Sequence, residues 1–162
     1  MDVNERLPEK RTILVLTDFS NCAKNAGDYG ALLAENLNAD LLLCHSFFVP
    51  DSGFDTWPKD DYVQLQQRSK DRLEQEAARL KKLLDNRSSD LWPSIETLSA
   101  AGTIAENVPA IMAERPGIMM VVMGGYRARN NDDFSFGTAI KDVLGQAKCP
   151  AVIVPEFEFI KP

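Results

Sequence analysis

Short, unbroken apolar runs alternate along this chain with longer stripes in which apolar residues recur every three or four positions. That alternation limits the fold, because strands separated by covering helices build a mainly parallel sheet with helices on its faces. The first run, 12–17 (TILVLT), suits a strand buried on both faces, and it ends at Asp18. Leu41 to Ser46 reads as a second buried strand, Ile118 to Met123 as another fully apolar one, and Ala151 to Val154 as the last strand. Ile95 to Ala101 is a weaker strand, in which Glu96 fits an edge open to solvent.

Four helices are predicted between these strands. Ser20 or Asn21 can cap the first, whose inner face of Ala23, Ala26, Gly27, Gly30, Leu33, Ala34 and Leu37 is unusually small. Small residues let a helix axis approach a sheet closely, which accounts for both glycines without a ligand. The segment Val49 to Asp61, with Pro50, Gly53 and Pro58, reads as a loop, and a charged helix follows from about Tyr62 to Leu84. Thr103 and Glu106 have capping-box spacing for a third helix that contains Pro109. Gly137 to Ala147 carries the stripe Ile140, Val143, Leu144 and Ala147 of a fourth.

The 162 residues suit one domain, expected over 11–155, with a polar extension at 1–10 and a tail at 156–162. With 24 acidic against 18 basic residues, the net charge of −6 opposes a nucleic acid or an anionic bilayer as partner. Neither a signal peptide nor a run long enough to span a membrane is visible, so a cytoplasmic location is expected. Cys22, Cys44 and Cys149 are widely spaced and His45 is the one histidine, a pattern that supports neither a disulfide framework nor a metal site.

In an open parallel sheet, ligands bind beyond the carboxyl ends of the strands, where successive connections diverge. Asp18 ends strand one there, and Gly124-Gly125 ends strand four before a polar loop that enters a helix at Gly137-Thr138. Gly137 would allow close approach of a phosphate to free amides at a helix N-terminus, and Thr138 could add a hydroxyl. A turn glycine and a capping threonine are the competing reading of the same pair. Asp18 could accept from an adenine or ribose, or act as an acid favoured near the start of helix one.

These segments together resemble the universal stress protein family. Members with bound ATP carry G-x-x-G, then nine residues, then G-[ST]; here Gly124 to Arg127 is followed by 128–136 and then Gly137-Thr138. The stretches ILVLTDFS from Ile13, LLCH from Leu42, VVMG ending at Gly124 and KCPAVIV from Lys148 are also similar to the family, as is Gly102 before helix three. The resemblance implies an α/β, Rossmann-like (adenine nucleotide alpha hydrolase-like) open parallel sheet of five strands, order 3-2-1-4-5, with four helices. It also implies ATP or a related adenine nucleotide, with adenine contacted near Asp18 and strand two and phosphates over Gly124, Gly137 and Thr138; Gly125 and Arg127 join them as candidates by position, with magnesium as the companion of ATP. A homodimer through the last strand is implied as well.

Arg127 stands where the motif has its second glycine. An arginine there either obstructs the approach of phosphate or supplies guanidinium donors to it. Asp132 and Asp133 in the same loop oppose a triphosphate unless they point outward or hold a metal ion. The expected function is thus a nucleotide-binding regulatory protein with no assigned catalytic residue and at most slow ATP hydrolysis. The alternative is a dimer that binds no nucleotide and acts through protein contacts. An ATP-pyrophosphatase would want a glycine-rich loop after strand one, which Thr17 to Ser20 lacks, and a phosphate-accepting receiver domain would want clustered acids around a metal.

Overall fold

The structure is a computed structural model, and it describes residues 11–47, 59–85, 93–127, 134–135, 141, 143–145 and 148–155. Strands β1 (Thr12–Leu16), β2 (Asp40–Phe47), β3 (Ile95–Ala101), β4 (Ile118–Arg127) and β6 (Ala151–Pro155) form one parallel sheet in the order β3-β2-β1-β4-β6. Counting only these five, the order is the expected 3-2-1-4-5. A two-residue strand, β5 (Phe134–Ser135), pairs antiparallel with the end of β4.

Helices α1 (Asn21–Leu37) and α2 (Lys59–Asp85) lie on one face, and α3 (Ile104–Glu114) with a fourth helical segment at 143–145 lies on the other. The alternation of side chains along each strand produces this division. Ile13, Val15, Leu41 and Leu43 point to the layer that holds Ala26, Ala34, Leu73 and Leu80. Leu14, Leu16, Leu42 and Cys44 point to the layer that holds Val108, Ile111 and Val143. Both faces are apolar, so β1 and the middle of β2 are buried runs, as the sequence predicts.

The small inner face of α1 does what its composition suggests. A β-carbon added at Gly30 would come within 2.7 Å of Val15 Cγ2, so the helix sits as near the sheet as a glycine allows. Ser20 caps α1 by accepting from the Ala23 N–H at 3.1 Å, and Thr103 caps α3 by accepting from the Glu106 N–H at 3.2 Å. Pro109 lies inside α3 without ending it. Glu96 is exposed on the edge strand β3 and pairs with Arg115 at the end of α3.

Two boundaries differ from expectation. Helix α2 begins at Lys59, inside the segment expected to be loop, with acids at positions 60 and 61, in a first turn where negative charge is favoured. Strand β4 continues past Met123 to Arg127, so Gly124 and Gly125 lie within a strand. Pairing with β6 at Gly124 and Gly125, and with β5 at Tyr126 and Arg127, gives the backbone of both halves of this extension a ladder partner.

Candidate functional site

The chain runs from β1 through α1 to β2 and through α2 to β3 on one side of the sheet, then returns through α3 to β4 on the other side of β1. Connections therefore diverge between β1 and β4, and the carboxyl ends of these two strands flank the crevice where a ligand is favoured.

At the end of β1, Thr17 is buried and its N–H donates to the Cys44 carbonyl oxygen at 2.9 Å. Asp18 follows, exposed, and its Oδ1 accepts from the Ser20 N–H at 3.0 Å. Phe19 has φ 65°, in the left-handed region that a phenylalanine rarely enters. Its N–H donates to Thr17 Oγ1 at 3.0 Å. The segment Thr17 to Ser20 is thus a tight, polar-bonded turn that aims the chain into α1.

That helix carries the turn to the end of β4. Cys22, in the first turn of α1, is buried, and its Sγ–H donates to the Gly125 carbonyl oxygen at 2.9 Å. A β-carbon on Gly124 would lie 2.7 Å from Cys22 Sγ and 2.9 Å from both the Cys22 carbonyl carbon and oxygen. Gly124 is therefore required by the contact between β4 and α1. Neither Gly124 nor Gly125 has a positive φ. The neighbour that requires a glycine at 124 is Cys22, on a helix that only folding brings there.

Of the expected site residues, Asp18, Gly124 and Gly125 are brought together around the first turn of α1. Arg127 has strand backbone and faces Phe134 across the short antiparallel pair. Gly137 and Thr138 lie outside the described residues, as do Asp132 and Asp133. Among the described residues, no cluster of three or more His, Cys, Asp or Glu side chains could hold a metal ion.

A set of contacts beside the crevice was not legible in the sequence. His45 Nδ1 lies 2.6 Å from Ser69 Oγ, and Ser99 Oγ donates to Ser69 Oγ at 2.7 Å. The Phe19 ring packs on the His45 ring with centroids 4.5 Å apart, and the Arg72 guanidinium lies over Phe19, 4.4 Å from its centroid. Burial, then the nearby Arg72, hold the His45 pKa below its ordinary value, against a smaller opposing pull from Asp18. Ser46, one residue on, accepts from Asn107 Nδ2 at 3.0 Å and ties the end of β2 to α3.

No helix among the described residues is long and apolar enough to cross a membrane. Toward an adenine nucleotide the described groups offer one accepting carboxylate, at Asp18, and two glycines of β4, with the α1 side of Gly124 filled by Cys22 and the Gly125 carbonyl oxygen bonded to its thiol.

Comparison with known proteins bears on the fold and the family. Among solved structures, universal stress protein UspA from Lactobacillus plantarum is 23% identical, with 90% of this chain and 98% of that chain covered and a TM-score of 0.59. A universal stress protein from Archaeoglobus fulgidus in complex with dAMP is 17% identical over 90% of this chain and 98% of that chain, with a TM-score of 0.63. A universal stress protein in complex with cAMP is 15% identical over 90% and 97%, with a TM-score of 0.61. No curated protein matches the chain. The family described as the universal stress protein family matches residues 10–155, nearly the whole sequence. The chain belongs to the universal stress protein family.

Proposed function

We propose that this protein is a regulatory protein that binds ATP or a related adenine nucleotide in the crevice beyond the carboxyl ends of β1 and β4. The observation that carries this reading is the meeting of the Asp18 turn with Gly124-Gly125 on the first turn of α1, at the point where the chain connections diverge. Universal stress proteins in complex with cAMP and with dAMP, similar in fold to this chain, support adenine as the base. In this reading Asp18 accepts from adenine or ribose, Gly124 and Gly125 lend backbone to the phosphates, Gly137 and Thr138 complete the phosphate cradle, and magnesium accompanies ATP. The protein works in the cytoplasm without dedicated catalytic residues.

A second reading is a dimer that binds no nucleotide, and the strand pairing of Arg127 with Phe134 favours it, since the motif's second glycine position lies in a hairpin here. Calorimetric titration of the wild type and Arg127→Gly with ATP and magnesium separates the two. Binding by the wild type supports the nucleotide site, and the sign of the change in the variant shows whether Arg127 contacts phosphate or obstructs it. No binding by either protein overturns the nucleotide reading.

Assembly is proposed to be a homodimer through β6. All five residues of β6 are half-buried, and among the described residues β4 is its one neighbour in the sheet. Pairing this edge with a second copy would satisfy its backbone and close the contact by two-fold symmetry.

A further inference from the structure

We infer that Arg72 of α2 is a positioning residue for Asp18, acting through the ring of Phe19. The inference rests on the proposed nucleotide site and names a residue outside the crevice that sets its geometry.

Asp18 lies between a buried threonine and a phenylalanine in the left-handed region. Backbone of that kind is avoided by residues with a β-carbon, and it persists where surroundings hold it. Two neighbours hold the Phe19 ring here. One is His45, itself held by Ser69, which is held in turn by Ser99. The other is the Arg72 guanidinium, over the ring at cation–π distance. Ser69 and Arg72 are three residues apart, hence on one face of α2, and this single helix face supplies both contacts, directly or through His45.

One bond of the turn depends on this anchor. The Ser20 N–H reaches Asp18 Oδ1 across Phe19, so the bond holds only while Phe19 keeps its φ, whereas the Phe19 N–H to Thr17 Oγ1 bond lies before that torsion. Releasing the ring lets residue 19 relax toward negative φ, which turns the Asp18 carboxylate and breaks its bond to Ser20. A phenylalanine thus holds a conformation that glycine would adopt freely.

The test uses four variants, Arg72→Ala, Arg72→Lys, Phe19→Ala and Phe19→Gly, with two measurements on each. One is hydrogen exchange at the Phe19 and Ser20 amides (residue 19 in every variant) without nucleotide, and the other is titration with ATP and magnesium. Arg72→Ala is expected to speed exchange at the Ser20 amide more than at the Phe19 amide and to weaken binding about two- to fivefold, the size of a solvent-accessible cation–π contact, while Arg72→Lys restores most of the loss. Phe19→Gly is expected to bind more tightly than Phe19→Ala although it removes more of the side chain. A purely structural role for the ring gives the opposite order, because glycine also adds backbone freedom to the unfolded chain.

Unchanged exchange and affinity in Arg72→Ala, or Phe19→Gly binding no better than Phe19→Ala, overturns the inference and leaves the nucleotide site standing. A wild type that binds no adenine nucleotide overturns the proposed function. Faster exchange in Arg72→Ala would then still establish the hold of Arg72 on the turn.

Discussion

The Cys22 thiol donates to the carbonyl oxygen of Gly125 across 2.9 Å, joining the first turn of α1 to the end of β4 over a separation of 103 residues. The contact leaves no room for a side chain at Gly124, where an added methyl would meet Cys22 backbone atoms at 2.9 Å. Gly124→Ala should lower stability by about 1–3 kcal/mol, the usual cost of overpacking a close contact. Urea unfolding of the two proteins checks this, and an equal midpoint would remove Cys22 as the reason for the glycine.

Asp18→Ala should weaken binding of adenine nucleotide by about 1.5–3 kcal/mol if the carboxylate accepts from the base or ribose. The buried core of β1, Ile13 to Leu16, is untouched by the change, so the sheet is retained. Titration of both proteins is the measurement, with equal affinity excluding Asp18 from the site.

His45 gives a pH dependence whose sign follows from its surroundings. The ring faces Ser69, Ser99 and Phe19, with the charges of Arg72 and Asp18 nearby, and burial and Arg72 together lower its pKa from the usual 6.5. The unfolded chain takes up the proton more readily than the folded one, so this contribution to stability is fully present above pH 6.5 and is lost as pH falls through that value toward the lower folded pKa. Stability measured in urea across this window should fall more steeply for the wild type than for His45→Gln. Parallel curves would contradict the assignment.

The three cysteines should react unequally. Burial pushes the Cys44 thiol up to about 12 and also raises Cys149, while Cys22 is buried and bonded to Gly125. Only Cys149 is partly open to solvent, so an aromatic disulfide reagent near pH 8 should label it first and slowly. All three should react at once in guanidinium chloride. Rapid labelling of Cys44 in the native protein would contradict the packing of β2 between two helix layers.

Arg79 of α2 reaches Asp28 of α1 at 2.7 Å and Glu76, which is buried, at 2.5 Å, and hydrogen bonding to Glu76 raises the pKa of the guanidinium. Removing it strands a carboxylate under the helix pair. Arg79→Met should cost roughly 1–3 kcal/mol, the penalty for leaving a buried hydrogen-bonding group unsatisfied, and Arg79→Met with Glu76→Gln should recover part of it. Thermal unfolding of the single and double variants checks the coupling.

Strand and helix identity was legible because it depends on local pattern. The run Ile13 to Leu16 can be buried only between two layers, and Ser20 and Thr103 sit at the spacing that caps a helix. The strand order came from the resemblance, since apolar runs alone do not choose their neighbours. The edge position of β3 was visible in Glu96, a charge no inner strand would carry there.

The candidate site was legible by residue type but not by cause. Sequence by itself determined that Asp18 follows the first strand and that Gly124 and Gly125 follow the apolar run of the fourth in an acidic α/β chain, because composition and periodicity are properties of neighbouring residues; that the strand runs on through both glycines came only with the fold. Only the tertiary structure decided that Gly124 makes way for Cys22, that Phe19 holds a left-handed turn, and that His45, Ser69, Ser99 and Arg72 surround it. Those relations join residues tens of positions apart, and they come into being when strand register and helix packing place the ends of β1, β2, β3 and β4 beside α1 and α2.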